Sequence, residues 1–429
     1  MKRIEIKQGR IIDPAHDIDQ IGSLYLADGK ILSVFDKPDT FSADEIIDAE
    51  NCIVCPGFID LSARLREPGH THKATIASET KAAASAGITS LCLPPDTRPI
   101  IDTPAIAELI KDKAERVNYP NVYPLGALTQ GLAGKKLSSM FALKSAGCIA
   151  VSNADAPLDN LVILRRAMEY AAGHDLTIFY RPDEASLSYN GCAHEGIMAT
   201  HYGLPSIPEA AESIAVAQCL ELAELTGCRI HFSQISCKRS VIKIQQAKKY
   251  GLHVTADVAI HQLHLSENDI EPFNSFYHVL PPLRSEDDKK YLREALANGT
   301  LNAICSDHQP HDLDAKLGAF PETEAGMSSL ETLLPLTLKL VGDHVIALSH
   351  ALASLSLEPA AILGLPLGTL ASGNDADICI FNPETLWQVN SKNWISRGKN
   401  TPFWKQTLKG RVTHTLQKGH LIYTLEKHA

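Results

Sequence analysis

Short apolar runs and amphipathic stretches alternate along the middle of the chain. Residues 58–61, 88–93, 121–126, 147–152, 176–180, 229–234, 252–257 and 302–307 are each dominated by apolar side chains and bounded by turn-forming residues. Each predicts a strand covered on both faces. Between them the apolar positions recur at helical spacing. Thr103 can cap and Pro104 can open a helix over 105–117, and further helices are predicted over 158–172, 210–226 with Gly227 as a stop, and 286–297. Eight strands alternating with helices in about 300 residues predict an α/β fold, a (β/α)8 TIM-type barrel, with a doubly wound open sheet as the fallback. No Gly-x-Gly-x-x-Gly or Walker sequence follows any of these strands, so a nucleotide-binding fold has little support.

The two ends of the chain follow a different pattern. Short strands are predicted at 4–6, 23–26 and 30–35, with Asp28-Gly29 as a hairpin turn. After a last helical segment at 358–363, strands are predicted again at 378–381, 407–416 and 420–423, the last two around Lys418-Gly419. Strands at both termini meet most simply in one small composite β-domain, made of residues 1–55 and 366–429 and flanking a barrel of residues 56–365.

Composition narrows the function. With 429 residues, 45% of them apolar, the chain can bury a sizeable core. A net charge of -10, a pI near 6.0 and the lack of an extended basic run argue against nucleic acid as a partner. No stretch approaches the roughly 18 apolar residues of a membrane span, and no apolar segment follows Lys2-Arg3, so a cytoplasmic protein is expected. The ten cysteines are scattered. Cys92, Cys148, Cys219, Cys305 and Cys379 read as small buried hydrophobes, and Cys52 and Cys55, lacking a second pair or nearby histidines, read as core before redox or zinc chemistry.

Active sites of such barrels lie at the C-terminal ends of the strands. Those ends present Ser62, Arg64 and Arg66 on the first strand, Pro94-Pro95-Asp96 on the second and Ser152-Asn153 on the fourth. Arg181, Gln234, Asp257 and Asp307-His308 end the fifth to eighth. Residues two apart on a strand share a face, so Ser62 and Arg64 point into the mouth together. Two histidines there would make half of a metal site; a hydroxyl and a permanent cation do not.

The run from Pro56-Gly57-Phe58-Ile59-Asp60 to Arg66-Glu67-Pro68-Gly69 resembles the dihydroorotase signature of the amidohydrolase superfamily, Asp-x-His-x-His-x-Arg-Glu-Pro-Gly. Pro95-Asp96-Thr97-Arg98-Pro99, Pro281-Pro282-Leu283-Arg284, Ser306-Asp307-His308-Gln309-Pro310-His311 and Gly373-x-x-Ala376-Asp377-Ile378 match it in the same order, across nearly the whole chain. The resemblance implies two metal ions, held by the first strand's histidines, a carboxylate or carboxylated lysine on the fourth, histidines on the fifth and sixth, and an aspartate on the eighth. At those positions stand Ser62 and Arg64, Asn153, Arg181, Gln234 and Asp307. Only Asp307 matches. It reads as vestigial, and no metal cofactor is expected unless zinc occupies a site rebuilt from Asp307, His308 and His311.

Arg66 and His311 resemble the family's carboxylate-binding set, with Asp96 where an asparagine is normal. Together they are expected to form a substrate-like anion pocket. The seventh-strand binding motif reads Ala259-Ile260-His261. Two divalent ions with two carboxylates and a hydroxide carry net +1, as do Arg64 and Arg181 with Asp307. The guanidiniums are therefore expected to fill the metal volume and pair with Asp307. His70 and His72 read as loop surface and His231 as a satisfied core histidine.

Dihydroorotase-like sequences stripped of their ligands resemble a subfamily of inactive homologues that assemble with aspartate carbamoyltransferase in pyrimidine biosynthesis. A non-catalytic structural or assembly subunit is the reading this implies. The alternatives are an active dihydroorotase, or another cyclic-amide hydrolase, with a rebuilt or single-metal site, and a sensor binding dihydroorotate or carbamoyl aspartate in the arginine-lined pocket. Homo-oligomer formation stays open.

Overall fold

The eight apolar runs become the eight parallel strands of a barrel in a computed structural model that describes residues 2–117, 119–270 and 274–425. In order they are Phe58–Asp60, Ile88–Leu93, Asn121–Pro124 continued by Gly126–Ala127, Ala150–Ser152, Thr177–Tyr180, Ile230–Phe232, Val254–Ala259 and Ala303–Cys305. The first three form one arc and the remainder another. The third strand, expected as one piece, breaks at Leu125. Its first part pairs with the second strand and its last with the fourth, so this one strand joins the arcs. Closure between the eighth and first strands rests on Arg64 N–H donating to His308 O at 2.9 Å and His308 N–H to Ser62 O at 3.1 Å. Asp60 reinforces that seam by accepting from the backbone N–H and hydroxyl of Ser306.

A helix follows every strand. The predicted ones lie at Pro104–Val117, Leu161–Gly173, Glu209–Thr226 and Glu286–Ala297. Asn160 caps the second by accepting from Val162 N–H, and Gly227 ends the third at φ 68°, a left-handed conformation that suits glycine. Two further helices, Ile76–Ser85 and Lys238–Lys249, are not among those predicted. The first is alanine-rich and started by a Thr75/Ser78 capping box, with its buried side made by Ile76, three alanines, Glu79 and Thr80.

The termini meet in one eight-stranded sheet. Ile378–Gln388, Thr407–Gln417 and His420–Thr424 join Ile53–Pro56, which joins Arg3–Asp13, Ile18–Ala27 and Lys30–Val34, with Glu45–Asp48 beside Arg3–Asp13. Asp28 (φ 55°) and Gly29 (φ 79°) are both left-handed, as a two-residue hairpin turn requires. Ile4, Ile6, Leu24, Leu26, Ile378, Ile380 and Leu416 form the sheet's core. Residues 390–401, between two of its strands, also reach back to the barrel. Ser396 and Arg397 donate to Glu79, Ile395 and Ser396 to Glu331, and Asn400 bonds His311 N–H and Gln309 O. All ten cysteines are free thiols, and all but Cys52 are buried. No described helix is long and apolar enough to cross a membrane.

Candidate functional site

The barrel mouth is built around Arg64. Its side chain, 4% exposed, donates from Nε to Asp96 at 2.7 Å and from Nη2 to Asp155 at 2.6 Å, while Nη1 lies 3.6 Å from Asp307. Burial works against its charge, but the three carboxylates outweigh that and raise its pKa further. Arg181 closes the other side, with Nε 2.8 Å from Asp155 and Nη2 3.6 Å from Asp183. Its Nε–H lies off the line to Asp155, so this contact is an ion pair without an aligned hydrogen bond.

These contacts correct two expectations. Asp96, expected beside Arg66 and His311, is paired with the guanidinium of Arg64, while its charge still reaches Arg66. The two arginines do not both serve Asp307: Arg64 alone approaches it, and Arg181 is held by Asp155 and Asp183. The expected +1 balance also fails. Two guanidiniums face Asp96, Asp155, Asp183 and Asp307, a net of -2 with Asp307 ionised and -1 with it protonated. Burial pushes the Asp307 carboxyl up to about 7, with Arg64 opposing that rise and Asp155 adding to it. At Asp155, two-fifths exposed at the rim, the surroundings resist charge, but Arg64 and Arg181 win and hold the carboxyl below its ordinary value.

Asp155 and Asp183 escaped the sequence reading. The available signal was charge: two arginines entering one mouth require counter-ions, and Asp155 stands two residues beyond Asn153. Asn153 itself accepts from Thr129 Oγ1 and donates to Ala156 O, which places it in the wall. Ser62 and Gln234 line the same space with Arg64 and Arg181, and the cavity left there is about 20 Å³. That is room for about one water molecule.

The backbone still has the form of a site. Arg66 (φ 60°), Ala154 (φ 49°), Gln234 (φ 53°) and Asp307 (φ 46°) are all left-handed without being glycine. Each such residue costs of order 1–2 kcal/mol, and such strain concentrates where side chains must be aimed.

The residues present do not fit the family's two metals. The first-strand pair offers a hydroxyl and a guanidinium, and Arg64 fills the volume. The rebuilt set does not converge either. His308 Nε2 lies 2.8 Å from Glu79 and its Nδ1 accepts from Ser329 N–H, which turns it into the wall, and His311 belongs to another cluster. His231 is satisfied, bonded to Asp257 and Thr255, whereas His261 is buried with neither ring nitrogen bonded. Among the described residues the one grouping of three metal-type donors is His194, Glu209 and Asp288. None of the three lines the mouth cavity, and Asp288 completes the Ser285 capping box of helix Glu286–Ala297 and accepts from Lys238 N–H.

The second cluster surrounds His311. Arg66 donates to Pro310 O at 3.0 Å, and its Nη2 lies 3.1 Å from His311 Nε2. Lys73 approaches His311 Nδ1 at 3.2 Å and pairs with Glu324; Lys316 donates to the carbonyls of His278 and Glu324. Of the three cations gathered here, Lys73 alone is ion-paired with the half-exposed carboxylate of Glu324. Burial and the neighbouring cations keep the His311 imidazole neutral, pulled down to about 2.

Lys316 is pulled down to about 7, mainly by burial, with Arg66 and Lys73 adding to the effect and Glu324 opposing it. The unfolded chain holds this proton up to about pH 10.5, so the penalty is complete below pH 7 and fades as pH rises between the two values. Lys316→Met is expected to stabilise the fold by roughly 1–2 kcal/mol near pH 6, net of two lost carbonyl bonds, with the gain fading by about pH 10. Urea unfolding at both pH values checks this, and a loss of stability near pH 6 would contradict it.

With this geometry in hand, comparison with known proteins shows the lineage. A dihydro-orotase-like family model matches residues 51–240 and an amidohydrolase family model residues 192–422. The chain is 47% identical to a dihydroorotase-like protein of Pseudomonas aeruginosa, over 98% of this chain and 99% of that protein. It is 41% identical to a dihydroorotase of Syntrophus aciditrophicus, also over 98% and 99%. Among solved structures, the L-hydantoinase of Arthrobacter aurescens superposes with a TM-score of 0.88 at 22% identity, covering 100% of this chain and 98% of that one, a likeness of fold. The arginine-centred mouth thus sits at the strand ends of a shared scaffold, and the chain belongs to the dihydroorotase family of the amidohydrolase superfamily.

Proposed function

We propose that this chain is a non-catalytic dihydroorotase homologue that acts as a structural or assembly subunit for aspartate carbamoyltransferase in de novo pyrimidine biosynthesis, in the cytoplasm. One observation carries the first half of this reading. The Arg64 guanidinium, clasped by Asp96 and Asp155 beside Asp307, occupies the space where a hydrolase of this family needs its metals and substrate. Hydrolysis of a cyclic amide requires an activated water and an electrophile on the carbonyl. Asp307 has no group beside it that could supply either, and about 20 Å³ admits no substrate ring. A strained mouth backbone without that chemistry supports descent from a catalytic scaffold now kept for its surface and shape.

The test begins with protein made in zinc-supplemented medium and purified without chelator. Elemental analysis is expected to find far less than one metal per chain, with no dihydroorotate turnover above background. A tightly held metal that disappears in Asp307→Ala would overturn the non-catalytic reading. Co-expression with aspartate carbamoyltransferase is expected to give one joint peak on size exclusion. Two independent peaks would remove the partner, and the peak of the chain alone reports whether it pairs with itself.

A further inference from the structure

While the mouth is filled, a cavity of about 360 Å³ lies open at the other end of the barrel. It falls within the size range of small-molecule sites. Three parts of the fold meet around it: the last turns of helix Pro104–Val117, the N-terminal approach to the third and fourth barrel strands, and the turn between Thr407–Gln417 and His420–Thr424. Barrel and terminal sheet each supply a wall.

The chemistry of the lining is divided. Half-buried Tyr119 and Tyr123 line it among apolar side chains, and so do half-buried Lys111 and exposed Lys418 and His420. No side-chain hydrogen bond or ion pair of the described residues engages any of these three, and Glu115 is the one acidic side chain in the lining. In a chain of net charge -10, three unpartnered basic groups on one cavity run against the overall field. The backbone also makes room for one of them. Gly147 has φ 98°, and a Cβ there would stand 2.5 Å from Lys111 Nζ. Any side chain at that position would push the ammonium away from the cavity.

We propose that this cavity binds a small planar anion, an aromatic or heteroaromatic ring bearing a carboxylate or phosphate, with the ring against the tyrosines and the anionic group held by Lys111 and Lys418. Aromatic faces supply apolar contact of fixed geometry, and unpaired ammonium groups can bind an anion without first breaking an ion pair. The site is independent of the state of the mouth.

Calorimetric titration of the full chain with phenyl phosphate, benzoate and inorganic phosphate tests it. The better of the two ring-bearing probes is expected to bind about tenfold or more tightly than inorganic phosphate, and its identity tells which anionic group the site prefers. The double variant Lys111→Met/Lys418→Met is expected to lose about tenfold or more in affinity for that probe, while Lys81→Met on an exposed helix face changes nothing. Neither ammonium makes a hydrogen bond or an ion pair among the described residues, and the charge of Lys418 reaches Asp377 only through space, so the double variant should stay folded, as its melting curve will show. No heat at millimolar probe, or heat that survives the double substitution, would overturn the proposal. So would affinity lost in Lys316→Met instead, which would place the anion in the cluster around His311.

Discussion

Arg64→Met is expected to destabilise the fold by about 3–5 kcal/mol, the largest effect of any single substitution in the mouth. Methionine keeps most of the volume and removes the charge that Asp96, Asp155 and Asp307 share. Asp155 retains Arg181, and Asp96 can turn toward solvent because more than a quarter of it is exposed. Asp307 can do neither. At 3% side-chain exposure it would lose the nearer of its two guanidiniums and be driven to hold a proton. Arg64→Lys should recover only part of the loss, since a point charge cannot address three carboxylates from separate nitrogens as a guanidinium does. Urea unfolding of both variants is the measurement. A methionine variant as stable as the parent would mean that Arg64 is not the counter-ion of the mouth.

Asp307→Asn should act in the opposite direction and stabilise the fold by about 2–3 kcal/mol near pH 8. In the unfolded chain this carboxyl titrates near 3.8, and in the folded one near 7. Between those values the folded protein holds a proton that the unfolded chain has released. Stability from this group is therefore complete below pH 4 and is lost as pH rises through 7. Asparagine cannot ionise, still accepts the 3.2 Å hydrogen bond from Gln309 Nε2, and leaves Arg64 with two carboxylates. The gain over the parent should be near zero at pH 4 and greatest above pH 7. Three pH units bound it at about 4 kcal/mol, and the attraction to Arg64 that asparagine gives up reduces this. Unfolding curves at pH 5 and pH 8 decide the matter. If Asp307→Asn proves less stable at pH 8, the ionised carboxylate is a favourable partner of Arg64 and the mouth is better balanced than its buried charges indicate.

The two substitutions also separate what was legible from the chain alone. Residue types at the strand ends could be read because a strand's alternation is local: Ser62 and Arg64 had to point together, and neither could serve as an ordinary metal ligand. Pairing could not be read. Arg64 meets Asp96 across 32 residues and Asp155 across 91, and barrel closure alone brings those strand ends together. A long guanidinium then chooses among carboxylates by distance and burial, which strand periodicity does not encode. The same reason hid Lys73, Lys316 and Glu324, which loops carry to His311, and Glu79, which turns His308 into the wall.

Barrel, terminal sheet and family were determined by the sequence itself. Eight apolar runs can be covered on both faces only by helices, Asp28-Gly29 turns a hairpin wherever it stands, and the Arg-Glu-Pro-Gly and Pro-Pro-Leu-Arg motifs keep their order. Tertiary structure alone decided that the mouth is filled, that burial raises the Asp307 carboxyl, and that a cavity of about 360 Å³ lies at the opposite end of the barrel. Those outcomes depend on volumes and on fields summed over residues far apart in the chain, and such quantities exist only once the chain has closed on itself.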